Sequence, residues 1–264
     1  TVRRQRQMCI RDSNTAMGYG ALNANTTGAN NVAVGTGALD ANTTAADNTA
    51  IGTNSLGANT TGANNVSVGS ACLIANTTGA SNVGVGKGTL AANTTASNNT
   101  AVGFLALLSN TTGSSNVAVG ASALDANTTA SANTAIGVSA LTTNTTGGSN
   151  TAVGTHALDA NTTASDNTAV GRNAGLSITT GNRNTFVGSL AGDATDDGVE
   201  NVAVGYGALS ANCGDHNVAI GEESLPACTG AGNTSVGRAA GLGVTSGGNN
   251  LLLGEDAGLS LIHI

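Results

Sequence analysis

The sequence predicts an all-β fold, a parallel β-solenoid or β-roll of about fifteen 17-residue coils, on three observations. A five-residue motif with Asn first, Val, Ile, Leu or Met fourth and Gly fifth occurs fifteen times, from Asn14–Gly18 to Asn250–Gly254. Its glycines fall seventeen residues apart from Gly18 to Gly205, sixteen apart at Gly221 and Gly237, and seventeen apart again at Gly254. Inside each motif, apolar β-branched and small residues alternate, the signature of a short strand. A fixed period of this size means one supersecondary unit stacked on itself, because a single copy cannot bury its own apolar face.

The copy from Asn116 to Ala132 justifies the elements in order. In Asn116-Val117-Ala118-Val119-Gly120, the two valines point to one face of the strand and Ala118 to the other. Ala121-Ser122 makes a corner, and Ala123-Leu124 begins a second apolar segment, expected as a second strand. The leucine recurs from Leu22 to Leu225 in most copies. Each coil is therefore expected to set one large apolar side chain per strand across a thin core. The invariant glycine, as at Gly35, Gly52, Gly69 and Gly120, marks a bend that a Cβ would obstruct. The invariant asparagine, as at Asn31, Asn48, Asn65 and Asn116, carries both donor and acceptor and suits an amide ladder from coil to coil. Nine Asn-Thr-Thr triplets, Asn25 to Asn161, match the N-glycosylation pattern, but their register with a corner explains them without glycans.

The two ends stand outside the repeat. Met8–Ser13 and Leu259–Ile264 back-translate into strings that are reverse complements of each other. The run from Arg3 also resembles a translated transposase-type sequencing adapter. Residues 1–13 and 259–264 are therefore expected to be adapter-derived, leaving 14–258 as the repeat domain, with divergent repeats over 171–258. Without those ends, four basic residues (Lys87, Arg172, Arg183, Arg238) remain against fourteen acidic ones. So acidic a surface argues against nucleic-acid phosphates and anionic membranes as partners. No apolar run is long enough for a transmembrane helix, so no membrane insertion is expected of this fragment.

The residues that carry chemistry are few. His156 and His216 sit at corners with no recurrent acidic partner. Asp40 with Asp47, and Asp159 with Asp166, share single coils, a weak echo of the paired carboxylates of glycan hydrolysis. Calcium-binding Gly-Gly-x-Gly-x-Asp repeats are absent, and no cofactor, metal or catalytic set is predicted. Seven acidic residues cluster between Asp193 and Glu223. Cys72 occupies an alanine position and reads as a packed free thiol. Cys213 and Cys228 lie fifteen apart where the local period is sixteen, so a disulfide between successive coils is open to them. The drift after Gly171, where Phe186 enters a strand position otherwise small, fits either an approaching domain or ordinary variation.

Asn14–Gly28, Asn-Thr-Ala-Met-Gly-Tyr-Gly-Ala-Leu-x-x-Asn-Thr-Thr-Gly in pattern, resembles the repeats of bacteriophage tail-fibre proteins and related bacterial surface proteins. More loosely, Asn-x-Ala-Val/Ile-Gly is similar to the head repeats of trimeric autotransporter adhesins, whose period is shorter. The resemblance implies a non-enzymatic structural and adhesive rod, extracellular on a cell surface or virion. It also implies a homotrimer that presents a host-surface receptor or glycan with many copies of one surface. Tyr19, Lys87, Phe104 and Tyr206, each following an invariant glycine, are the candidate contacts. The alternative is a secreted ice-binding solenoid. Against it, Thr26 and Thr27 are adjacent and would face opposite sides of a strand, whereas a flat array wants threonine at alternate positions.

Overall fold

A computed structural model describes residues 13–258, so both adapter-like ends, Ser13 apart, lie outside the described residues. The chain is an all-β parallel β-solenoid with no helix among those residues, and it divides into two compact units at Ala132 and Asn133. The first unit stacks β1 (Thr15–Met17), β2 (Val32–Val34), β3 (Thr49–Ile51), β4 (Val66–Val68), β5 (Val83–Val85), β6 (Thr100–Val102) and β7 (Val117–Val119). The second stacks β8 (Thr134–Ile136), β9 (Thr151–Val153), β10 (Thr168–Val170) and β11 (Thr185–Val187). It continues through β12 (Val202–Val204), β13 (Val218–Ile220), β14 (Thr234–Val236) and β15 (Leu251–Leu253). Within each unit every strand pairs in parallel with its sequence neighbour, in strict register: Val32 beside Thr49, Ala33 beside Ala50, Val34 beside Ile51.

Counting the motif asparagine as position 1, each coil has one three-residue strand, at positions 2 to 4. The expected second strand is absent among the described residues. The alanine–leucine segment at positions 8 and 9 is a chain of turns, because positions 7 and 9 have left-handed backbone, as Ser122 (φ 54°) and Leu124 (φ 53°) do. A left-handed residue cannot extend a pleated strand. The turn still ladders: Leu39 N–H donates to the Ser55 carbonyl at 3.1 Å and Thr26 N–H to the Thr43 carbonyl at 2.8 Å. Backbone polar groups are thus paired between coils outside the strands as well as within them, the requirement for burying any of this backbone.

The core also differs from expectation. The middle strand residue points inward, and Ala33, Ala50, Ala101 and Ala118 are fully buried. The flanking valines, threonines and isoleucines point outward. Only one large side chain per regular coil enters the core, the leucine at position 9, from Leu22 to Leu158 and at Leu209 and Leu225. Left-handed backbone costs a leucine roughly 1–2 kcal/mol, and full burial of its side chain returns about 1.5–3 kcal/mol. Burial wins because alanine at positions 3 and 8 leaves the leucine as the main filler of the coil.

Candidate functional site

Two features of the fold present chemistry to the outside: the outward face of the strands and the corner after the invariant glycine. Both depend on the asparagine and glycine that fix each coil. The glycines at position 5 have φ from about 112° to 142°, and a Cβ at Gly35 would lie 2.4 Å from the carbonyl oxygen of Gly52. At position 1, the amide binds in two directions. Asn31 Nδ2 donates to the Ala45 carbonyl of its own coil at 2.9 Å, and Asn31 Oδ1 accepts the Asn48 backbone N–H at 3.0 Å. Asn48 repeats this with Gly62 and Asn65, and Asn116 donates to Ala130. Each such asparagine therefore closes its coil and joins it to the next.

A second amide column lies at position 12, the asparagine of each Asn-Thr-Thr triplet. Asn42 Nδ2 donates to Asn25 Oδ1 at 2.9 Å, and Asn76 Nδ2 to Asn59 Oδ1 at 2.9 Å, side chain to side chain along the stack. Asn42, Asn59, Asn76 and Asn93 are fully buried, so these triplets offer no accessible amide to a glycosyltransferase. The threonine that follows donates its hydroxyl to the same column of the next coil, as Thr43 Oγ1 does to the Thr60 carbonyl at 3.1 Å. The two asparagines and the first threonine of each coil are thereby used inside the scaffold, while the second threonine, as at Thr44 and Thr61, is exposed.

What remains outside is the strand face. Positions 2 and 4 supply two files of side chains, Thr, Val or Leu in one and Val, Ile, Met or Leu in the other, without a charge at any strand. Their exposure is partial but constant in the interior strands: Val66 37 %, Val119 36 %, Ile136 40 %, Val187 37 %, Ile220 39 %. An uncharged apolar surface running the length of a stack, in a chain so acidic elsewhere, exceeds what scattered surface residues explain. Beside it, position 6 holds the candidate contacts. Tyr19 (80 % exposed), Phe104 (53 %) and Tyr206 (50 %) project from this corner, and Lys87 is exposed there too. Val138 occupies the same column, and the sequence reading passed over it because it is an ordinary aliphatic residue.

Groups with reactive potential are dispersed. Both histidines do have acidic partners: His156 Nδ1 lies 3.1 Å from Asp159 Oδ2, and His216 Nε2 lies 3.0 Å from Glu200 Oε2. Glu200 also pairs with Arg183 at 2.9 Å, which puts Arg183, Glu200 and His216 in one column of three successive coils. The periodicity hid these pairs because they join residues three or sixteen apart rather than recurring. The carboxylates of Asp47 and Asp159 have other partners, Asn30 and His156 respectively. Among the described residues no group of three or more His, Cys, Asp or Glu is gathered as a metal site, the acidic stretch from Asp193 to Glu223 included. Among them, too, no helix is long and apolar enough to cross a membrane. A cleft of about 270 Å³ bounded by Val244, Thr245, Asn250 and Leu252 contains no titratable side chain.

All three described cysteines are buried free thiols, so the disulfide open to Cys213 and Cys228 is not formed here. Cys213 Sγ lies 3.3 Å from Thr195 Oγ1, and Cys228 Sγ accepts from Asn233 Nδ2 at 3.2 Å. Burial pushes the thiols of Cys72 and Cys213 up to about 11. No protein-family model matches the chain, and no curated protein shows significant similarity to it.

Proposed function

We propose that the chain is a non-enzymatic structural and adhesive element, part of an extracellular fibre shaft or adhesin stalk that self-associates as a homotrimer. The observation that carries this reading is the double file of uncharged side chains at positions 2 and 4, partly exposed at every strand. Three copies packed through these files would remove them from water, and the position 6 corners beside them would stay outside. Tyr19, Lys87, Phe104 and Tyr206 would then meet a receptor or glycan in three copies each. Multivalent presentation converts weak single contacts into durable attachment. The resemblance of the motif to tail-fibre and adhesin repeats supports the same reading.

Light scattering on the full chain tests the association. A molar mass about three times 25.2 kDa is expected, falling to one chain when Val68 and Val85 are both changed to Glu. A clean monomer at micromolar concentration removes the fibre reading. Attachment is tested by retention on a panel of surface glycans, which should weaken for Phe104→Ala and Tyr206→Ala in an unchanged assembly.

One observation favours the second reading, a secreted ice-binding solenoid. Thr134, Thr151 and Thr168 form one file of threonines beside a file of Ile136, Val153 and Val170 on a parallel sheet, with strands about 4.8 Å apart. Of the Asn-Thr-Thr threonines, the first of each pair is not part of that array, because its hydroxyl is tied to the next coil. A monomer with measurable thermal hysteresis would establish this reading in place of the first.

A further inference from the structure

We propose that Cys213 and Cys228 are a thiol pair that closes into an intrachain disulfide under oxidising exchange, stapling the two sixteen-residue coils together. Three observations meet at this point. The coils that begin at Asn201 and Asn217 are each one residue short, and the loss falls on the side away from the strand, between the core leucine and the next motif. Leu209 is followed by three residues before Cys213, and Leu225 by two before Cys228. Despite that slip both thiols turn inward, at 2 % and 0 % exposure, while Asn212, Ala227 and Thr229 beside them are exposed. Side chains of equal burial at one corner of successive coils lie about one coil spacing apart, ~4.8 Å between backbones, within the Cα range that a disulfide spans.

The second observation is what the corner has lost. Elsewhere position 12 holds asparagines that bond from coil to coil, but here the column reads Ile178, Thr195, Cys213, Cys228 and Val244, with no amide ladder. Thr195 Oγ1 and Cys213 Sγ, 3.3 Å apart, show that side chains of successive coils do meet at this corner. Third, a defect accompanies the shortening: Asn201 Nδ2 is buried without a partner, whereas the same amide in a regular coil, as at Asn31, donates to a carbonyl of its own coil. A covalent bond would restore the coil-to-coil connection where the hydrogen-bonded one is interrupted. The charge of Cys228 is also among the influences that raise the Cys213 thiol, as proximity requires.

The chemistry balances with a small disulfide as oxidant. One cysteine thiolate attacks glutathione disulfide, forms a mixed disulfide and releases one glutathione thiolate. The second cysteine thiolate then attacks the protein sulfur of that mixed disulfide, closes the protein bond and releases the second glutathione. The two protons given up by the cysteines end on the two glutathiones, and the two electrons go with them. Burial keeps both thiols protonated, so the exchange runs through transient opening of the short corner, slowly.

The experiment uses the full chain, equilibrated in glutathione buffers from fully reducing to a roughly tenfold excess of disulfide, then alkylated and mapped by mass spectrometry. A linked Cys213–Cys228 peptide is expected, with Cys72 alkylated as a free thiol. Oxidised protein should melt roughly 5 °C higher than the same sample reduced, a gain that Cys213→Ser and Cys228→Ser both abolish. Because the reduced wild type is its own reference, the result does not depend on how well the serine variants fold. Full alkylation of both cysteines at the most oxidising ratio overturns the proposal. So does a link from either one to Cys9, to Cys72 or to another molecule.

Discussion

The coils before residue 167, with the later pair that holds Leu209 and Leu225, and the coil of Phe186 fill the same interior with opposite distributions of bulk. In the earlier coils position 3 is small and position 9 is leucine, so the turn side supplies the core. At Phe186 the strand side supplies it, and position 9 becomes glycine both in that coil, at Gly192, and in the one before, at Gly175. A Cβ at Gly192 would lie 2.6 Å from the Phe186 ring, and one at Gly175 would lie 2.9 Å from it. Leu252 repeats the arrangement with Gly241 and Gly258, where added Cβ atoms would lie 3.2 and 2.5 Å from its methyls. The lesson is that the coil conserves interior volume rather than residue identity, and that one inward side chain is accommodated by two neighbouring coils.

The sharpest way to break this comparison is to insert a methyl at the feature both regions share. Gly69→Ala puts a Cβ 2.3 Å from the Gly86 carbonyl oxygen at φ 142°. That backbone region is nearly exclusive to glycine and costs other residues about 1–3 kcal/mol before any clash. The variant is expected to lose the cooperative urea transition of the first unit, and Gly188→Ala that of the second. Tolerance at either site would mean that coils can separate locally.

Next in size is the exchange of bulk. Phe186→Ala should destabilise the second unit by about 3–5 kcal/mol, the usual cost of removing a buried phenylalanine. Gly192→Leu alone should also destabilise it, by overpacking. Combining Phe186→Ala with Gly175→Leu and Gly192→Leu should recover most of the loss, measured as the midpoint of urea unfolding. Simple additivity of the single effects would refute volume exchange, since residues sharing one cavity are expected to couple.

Much of this was legible in the sequence. Period, phase and the small–large alternation gave the solenoid, and the invariant glycine gave the bend. Which strand face turns inward was not legible, because Val-Ala-Val alternates equally well either way. Alanine wins the interior only because a leucine already occupies it, a fact of three-dimensional volume. The second strand was misjudged for a related reason: an apolar pair reads as strand until left-handed backbone at Leu124 and its counterparts shows it to be a turn. Coupled positions were visible in principle. Ser55 donates to Ser67 Oγ at 2.7 Å and Ser224 to Ser235 Oγ at 3.0 Å, each pairing position 8 of one coil with position 3 of the next. Cys72 with Gly84 balances large against small at the same two positions, where a Cβ on Gly84 would meet the sulfur at 2.5 Å. Comparing position 8 with the following position 3, instead of each column with itself, would have found all three.

A smaller effect sharpens the contrast at position 12. Asn59→Val removes the donor to Asn42 Oδ1 at 3.1 Å and the acceptor for Asn76 Nδ2 at 2.9 Å, breaking the coil-to-coil bonds of two buried amides. A loss of about 1–3 kcal/mol is expected. Cys228→Val places the same side chain in the same column, between Cys213 and Val244, and should cost less. Equal losses in chemical denaturation would show that the amide column contributes nothing beyond its volume.

The smallest expected effect concerns acidity, and it has the same sign in both regions. Asp193 in the second unit and Asp125 in the first each bury one carboxylate oxygen without a hydrogen-bond partner. Burial raises both carboxyls above their ordinary 3.8; at Asp193 the backbone N–H groups of Asp193 and Ala194 offset part of the rise. A raised carboxyl means the folded chain holds its proton more tightly than the unfolded chain does. Stability therefore falls as pH rises from 3.8 through the folded value, and the penalty is fully present at neutral pH. Asp193→Asn and Asp125→Asn, which remove the charge and keep the shape, should each raise the melting temperature slightly at pH 7. The gain should shrink as pH falls toward 3.8 and vanish below it. A variant that melts lower at pH 7 would instead identify a favourable contact of the carboxylate. Both aspartates stand at position 10, next to the core leucine in one case and to Gly192 in the other, so matched gains would place this penalty in the shared backbone of the coil. Unequal gains would tie it to how each coil distributes its bulk.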